Sequence, residues 1–430
     1  MGIGFTATTV RAERFPEFMA TKSILLLAGE ASGDYHAAAL VRDLKELMPE
    51  VRVSGIGGDR LAEAGMELLH HYREINTIAL GEGLRQVRNI LAAYGTMKRE
   101  LRSGKHQLFI PVDYPDVNLR LCRIARNADV RVCYYVSPQV WAWRKGRIRT
   151  IAQRVDKMMT LFPFEERLYR EAGVPSVFVG HTMVRDIPET WDRTSLRREL
   201  NLNEESYVVA LVPGSRPAEI SRMLPRMCQA AGLFALKFPE VSFVLPLAAE
   251  HLNGLVQSIL ADYPIQVGVY SVEAPRIMAA ADCGLVTSGT ATLQAALCGM
   301  PHAVVYVVDP FTWWLGLKVI HPLLMEKDVH LAIANVLSIQ EEAFGAGPIT
   351  EMQAHGISIT CQECGRPLFV PEVLQHRATP EYLAEWLTRF RSDQNLTDAM
   401  KSGFRQIRRM LEPPGQGPIA VKIVAEMLRN

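Results

Sequence analysis

Residues 135–144 read Tyr-Val-Ser-Pro-Gln-Val-Trp-Ala-Trp-Arg. A buried-type strand, Val130 to Val136, runs there into a serine–proline break where a helix would follow. Similar breaks stand at Gly29-Glu30-Ala31-Ser32-Gly33-Asp34 and at Pro213-Gly214-Ser215-Arg216. In open α/β sheets ligands bind at the carboxyl ends of the strands. Glycine and serine let backbone amides close on an anion, and arginine supplies a bidentate phosphate contact. The three stretches predict a phosphorylated, nucleotide-like ligand between two sheets. Gly29, Glu30, Ser32, Gly33, Asp34 and Ser137 are the pocket positions they nominate.

Outward from these breaks, short apolar runs alternate with helical spacing. In the first half the expected strands are Ser23 to Gly29, Val51 to Ile56, Leu108 to Val112, Val130 to Val136, Met158 to Phe162 and Ser176 to Val179. After Gly180-His181 a charged connector, Arg185 to Glu205, interrupts the pattern. It restarts with Tyr207 to Val212, Ser242 to Leu247, Gln266 to Tyr270, Cys283 to Thr287 and Ala303 to Val308. Strand–helix alternation implies parallel, doubly wound sheets. A chain of 430 residues favours two such domains. The expected division is an N-terminal domain at 22–184 and a C-terminal domain at 185–394. Helices at 395–430 follow and could pack back on the first domain. Residues 338–370 lack a clean period and read as an insertion.

Composition excludes several classes. Lysine plus arginine (47) balances aspartate plus glutamate (46), so no global field favours nucleic acid. Seven scattered cysteines read as reduced cytosolic thiols rather than a disulfide framework. No apolar run reaches the roughly 18 to 20 residues of a membrane span. Residues 1–21 carry Arg11, Glu13, Arg14 and Glu17, lack a signal peptide's apolar region and read as a disordered extension, with Met19 as the natural start. Gly55-x-Gly57-Gly58 is a poor dinucleotide fingerprint in the wrong unit, which disfavours a dehydrogenase.

Thr287-Ser288-Gly289-Thr290 ends one strand and opens a helix, Ala291 to Cys298. The first amides and dipole of that helix suit a pyrophosphate, although a plain helix cap has equal standing. Arg216, with Glu219 three residues on, stands at an equivalent strand end, which favours phosphate binding over a surface arginine. Asp113, in Pro111-Val112-Asp113-Tyr114-Pro115-Asp116-Val117-Asn118, is placed to take a proton from an acceptor hydroxyl. The bland alternative is a helix cap, a duty Asp116 could perform instead. Trp141 and Trp143 share one side of an extended segment and, beside Arg144, either wall a sugar or acyl pocket or fill core. His181 reads as a structural histidine rather than a base. Cys361-x-x-Cys364 is half a zinc knuckle that His355 or His376 could complete; no second pair exists, so no metal site is expected. The apolar run Pro310 to Ile320, with Trp313 and Trp314, is either a buried helix or an interfacial one.

Together these motifs, in their order, resemble lipid-A-disaccharide synthase, a glycosyltransferase of the lipid A and lipopolysaccharide pathway, over Ser23 to Asn335. The Tyr135–Arg144 run is the most specific piece, joined by Gly29 to Asp34, Asp113 to Asn118, Gly180-His181-Thr182-Met183, Pro213 to Arg216 and Ser288 to Thr290. The resemblance implies the GT-B fold: two facing Rossmann-like doubly wound parallel-sheet domains with an interdomain cleft. It implies an inverting transfer of 2,3-diacylglucosamine from its UDP derivative to 2,3-diacylglucosamine 1-phosphate. Asp113 falls on the family's proposed base, Arg216 on its phosphate-contacting arginine, and Ser288-Gly289-Thr290 on its pyrophosphate turn. Asn335 matches an asparagine near the nucleotide. Gln294 stands where the family usually has glutamate, at a position suited to ribose hydroxyls. The stretch Ile78 to Leu91, usually an apolar helix that meets lipid, carries Glu82, Arg85, Gln86 and Arg88 here. No cofactor and no nucleic-acid partner are implied. The expected setting is the cytoplasmic face of the inner membrane, with peripheral attachment, and a homodimer is compatible with it. The alternatives are another UDP-sugar transferase or epimerase of this fold, or an inactive lipid- or nucleotide-binding paralogue.

Overall fold

The computed structural model describes residues 22–76, 83–140, 146–309, 332–342, 349, 352–353, 357–361, 365, 367–415 and 417–429. The expectations for residues 1–21, Trp141, Trp143, Arg144, the Pro310–Ile320 run, His355 and Cys364 lie outside them. The chain divides into two compact units, Met1–Val132 with Val421–Asn430, and Cys133–Ala420.

The first sheet has seven strands: β1 Ser23–Ala28, β2 Arg52–Gly57, β3 Glu67–His71, β4 Leu108–Val112, β5 Arg131–Tyr135, β6 Lys157–Thr160 and β7 Ser176–Phe178. Their order across the sheet is β3-β2-β1-β4-β5-β6-β7. The chain therefore winds outward in one direction from β1 and in the other from β4. β1 and β4 run parallel in register, from Ile24 opposite Leu108 to Ala28 opposite Val112. Both are apolar runs whose central residues are buried on both faces, as a strand between two helical layers requires. Each leaves the sheet at the same edge, β1 into Gly29 and β4 into Asp113.

The second sheet repeats the plan with β8 Val208–Val212, β9 Ser242–Pro246, β10 Val267–Tyr270, β11 Cys283–Thr287, β12 His302–Tyr306 and, late in the chain, β15 Glu372–Leu374. Its order is β10-β9-β8-β11-β12-β15, so its winding reverses between β8 and β11. β8 and β11 pair in parallel up to Val212 opposite Val286. Its core includes Ala210, Val212, Val244, Ile277, Met278 and Val286.

Three elements depart from the sequence reading. The strand β3 was not anticipated, nor was β15, which closes the second sheet beside β12. The expected connector Arg185–Glu205 contains a helix, Arg193–Glu199. Arg193 and Arg197 of that helix donate to the Asp282 carboxylate, which also accepts from the amide of Val208 (2.7 Å). Within 338–370 the chain forms the end of a helix, Ile333–Glu342, and a two-stranded antiparallel hairpin, β13 Ile359–Thr360 with β14 Pro367–Leu368. Among the described residues no helix is long and apolar enough to cross a membrane.

Candidate active site

At the reversal of the first sheet, β4 ends in two successive non-glycine residues in the left-handed region, Asp113 (φ 44°) and Tyr114 (φ 46°). Each costs about 1 kcal/mol or more relative to the right-handed or extended backbone. Pro115 follows as the first residue of the helix Pro115–Asn127, where a missing N–H is no loss. From its first turn Asn118 reaches back: its backbone N–H donates to the Tyr114 carbonyl (3.1 Å). Its side-chain Nδ2 donates to the carbonyls of Val112 (3.2 Å) and Asp113 (2.7 Å).

Across from this turn, β1 runs into Gly29 and Glu30, and the helix Ala31–Leu47 begins directly after them. The Tyr114 ring lies over Gly29; a Cβ there would stand 2.6 Å from two ring carbons. Only glycine fits beneath the ring. Burial, then the neighbouring Glu30 carboxylate, raise the Asp113 pKa to about 6, against a hydrogen bond from the Tyr114 backbone. The Tyr114 phenol is raised too, by burial, Glu30 and Asp116. A half-buried carboxylate that titrates near neutrality at a strand end is suited to accept a proton from a bound hydroxyl.

Other expected pocket residues take different duties. Asp34 is buried, and its carboxylate accepts from the amides of Gly58 (2.6 Å), Arg60 (3.3 Å) and Leu61 (3.3 Å). It caps the short helix Asp59–Glu63 and is not a pocket group. Gly33 is buried against Ala28 and Val112, while Ser32 is half-buried in the same first turn. Ser137, after β5, is buried, and its Oγ has no partner among the described residues. The residue before it, Val136, is a β-branched side chain at φ 59°, an outlier for its type. His181 is the structural residue its sequence suggests. It is buried, its Nδ1 accepts from the Met183 amide (3.3 Å), and it packs on Phe162.

The reversal of the second sheet carries the cationic and amide groups. After β8, Gly214 turns the chain at φ 106°, a conformation that favours glycine. Arg216 then precedes the helix Pro217–Lys237, which Pro217 opens. The Glu219 carboxylate gathers the turn. It accepts from the amides of Ser215 (3.2 Å) and Arg216 (3.3 Å) and from the Arg216 guanidinium (3.2 Å). The Arg216 side chain is 75% exposed, so its remaining donors face water. After β11, the helix Thr290–Leu297 starts at Gly289, which is the N-cap residue with no capping side chain. Ser288 is not that cap. Gly289 and Thr290 are exposed and Gln294 is half-buried one turn further on.

Asn335 corrects its expectation. It is fully buried, and its amide is saturated by the chain. Nδ2 donates to the Val370 carbonyl (2.9 Å) and to Glu372 (2.8 Å); Oδ1 accepts from the amides of Phe369 and Val370 (2.8 Å each). The asparagine fastens the helix Ile333–Glu342 to the chain entering β15 and has no valence left for a nucleotide. Of the cysteine pair, Cys361 is a half-buried free thiol. Sequence reasoning passed over Asn118 and gave Glu219 no task. The three-residue step from Arg216 to Glu219, which puts a carboxylate at the third position of the helix to reach back to the Arg216 amide, was the available signal for the second.

Comparison with known proteins follows this geometry. Residues 24–337 match the family model described as lipid-A-disaccharide synthetase. The lipid-A-disaccharide synthase of Geobacter sulfurreducens is 34% identical over 405 residues, which is 94% of this chain and 97% of that protein. Among solved structures, a putative UDP-N-acetylglucosamine 2-epimerase from Listeria monocytogenes superposes with a TM-score of 0.58 at 11% identity, covering 95% of this chain and 96% of the other. The glycotransferase of kitacinnamycin gives 0.56 at 15% identity, covering 95% and 100%. At those identities the likeness is one of fold, the GT-B class that the motifs implied.

Proposed function

The chain belongs to the lipid-A-disaccharide synthase family of glycosyltransferases, and from that membership we propose that it joins UDP-2,3-diacylglucosamine to 2,3-diacylglucosamine 1-phosphate. The observation that carries the reading is Asp113, a half-buried carboxylate with its pKa near 6, placed where the winding of the first sheet reverses. A base titrating near 6 is ionised at neutral pH and still basic enough to accept a hydroxyl proton.

In the proposed step the acceptor's 6-hydroxyl gives its proton to the Asp113 carboxylate. Its oxygen forms a bond to the donor's anomeric carbon from the face opposite UDP. The bond from that carbon to the β-phosphate oxygen breaks, and its electron pair leaves with UDP. Configuration inverts, giving a β-1′,6-linked disaccharide 1-phosphate. The leaving pyrophosphate gains charge as the bond breaks. The exposed Arg216 guanidinium and the amides that open the helix Thr290–Leu297 supply the positive field it needs. Gln294 donates to or accepts from ribose hydroxyls, as a neutral replacement for the family's usual glutamate. Both substrates carry acyl chains, which favours a membrane surface, and the family reading makes that surface the cytoplasmic face of the inner membrane.

The test is UDP release from UDP-2,3-diacylglucosamine, with and without 2,3-diacylglucosamine 1-phosphate, with the lipid product resolved by mass. UDP formed only with acceptor, together with a disaccharide phosphate, is the expected result. UDP formed equally without acceptor would point to epimerase-type or hydrolytic chemistry. An unchanged donor after long incubation, with UDP still bound, would assign the chain to a non-catalytic role.

A further inference from the structure

The geometry points to Asn118 as a positioning residue for the transfer, its side-chain amide holding the left-handed turn that presents Asp113 at the end of β4. This rests on the reading of Asp113 as the base and adds the device that keeps it in place.

Three observations carry it. First, Asp113 and Tyr114 occupy a backbone region that neither residue type favours, and they do so consecutively. Such a turn persists only where its surroundings over-determine it. Second, Asn118 is fully buried and directs its one NH₂ group at the two carbonyls that bracket the start of the turn, Val112 and Asp113. Third, the opposite end of the same amide, Oδ1, is buried with no partner among the described residues. A buried acceptor left unmade is a cost that an apolar side chain of similar size would avoid. Packing alone therefore does not explain an asparagine here; the two donated hydrogen bonds do. They fix the peptide on which Asp113 sits, and hence the burial and the proximity to Glu30 that make its carboxyl a stronger base. Among the described residues, the charged and titratable groups acting on that carboxyl are Glu30, from the start of the helix Ala31–Leu47, and Tyr114, itself influenced by Asp116.

The experiment compares the full chain with Asn118→Leu and Asp113→Ala. Steady-state UDP release with both substrates gives kcat and each KM. Titration of carbon-13-labelled aspartate carboxyls by NMR, with Asp113→Ala assigning the resonance, follows Asp113 without requiring turnover. Asn118→Leu is expected to lose at least about tenfold in kcat and to keep both KM values within about twofold. Its Asp113 titration should move from about 6 towards 3.8. Where Asn118→Leu does not fold, Asn118→Ala, which removes the donors without adding a charge, takes the same measurements. An Asp113 titration and a kcat equal to those of the natural chain would overturn the proposal. If Asp113→Ala keeps its turnover, the base assignment fails, while a displaced titration in the Asn118 variant still upholds the positioning role.

Discussion

Replacing Asp113 with asparagine should abolish transfer and stabilise the protein in the same stroke. The Asp113 carboxyl is raised from its ordinary 3.8 to about 6, first by burial and then by Glu30. The ionised side chain is therefore held in the native state at a cost. A tenfold weaker acid is a free-energy difference of about 1.4 kcal/mol, so the full cost approaches about 3 kcal/mol once the pH is well above 6. The sign follows from proton counting. Between pH 3.8 and 6 the folded protein keeps a proton that the unfolded chain has released, so stability falls as pH rises through that window. Below it the cost disappears. Asp113 is only half-buried, and solvent screening lowers the realised figure to about 1 to 2 kcal/mol. Asparagine keeps the volume and tolerates the left-handed backbone, so the turn itself is not a confounding change. Urea unfolding of the natural chain and Asp113→Asn at pH 8 should show that increment, and at pH 5 about half of it. UDP release should fall by about a hundredfold or more. Equal stability of the two proteins at pH 8, or an increment that does not shrink towards pH 5, would refute the argument.

Three further substitutions probe the neighbouring groups. Gly29→Ala places a methyl 2.6 Å from the Tyr114 ring; the displaced ring should cost about 1 to 3 kcal/mol in unfolding experiments and lower kcat through the adjoining Asp113. Arg216→Lys keeps the charge but loses the planar fork, so kcat/KM for the UDP-sugar should fall by about tenfold or more with little change in melting temperature. Asn335→Ala should do the reverse. It removes four hydrogen bonds, three of them buried, and should lower stability by about 2 to 4 kcal/mol, while UDP affinity measured by calorimetry on the folded protein changes less than for Arg216→Lys.

The strands nearest the reversal points were the most legible. β1, β4, β8 and β11 are apolar runs of five or six residues that end at glycine, aspartate, proline or serine, and each was expected within about two residues of its bounds. β3 was missed because Glu67–His71 lies at the sheet edge, half-buried along most of its length, and its two histidines break any alternation. The helix Arg193–Glu199 has almost no apolar period; its attachment depends on Asp282, 85 residues beyond Arg197. The same limit governs the site. Position in the chain and the family resemblance nominated Asp113, Arg216 and the Ser288–Thr290 turn, but not what surrounds them. Asp34 and Asn335 were placed at the ligand because short polar side chains near glycines suit that task. Their actual partners stand 24 to 37 residues away, contacts that no local pattern announces.

The two reversal points also explain why fold likeness alone leaves the chemistry open. A doubly wound sheet creates the same opening wherever its order reverses, and here it does so twice, between β1 and β4 and between β8 and β11. A transferase and an epimerase can share that frame, as the structural neighbours at 11% and 15% identity do. What differs is the electrostatic treatment of each opening. On the proposed reading, the base needs partial burial, because desolvation is what raises its affinity for a proton; Asp113 has that burial, with Glu30 adding to it. A phosphate-binding guanidinium needs the opposite. An unpaired cation withdrawn from water would carry a desolvation cost before any ligand arrived; Arg216 stays exposed, steadied by Glu219. The ligand's own charge then completes the pairing. An exchange of these environments, with the carboxylate solvated and the arginine buried, would leave the same fold with neither a competent base nor a ready anion site.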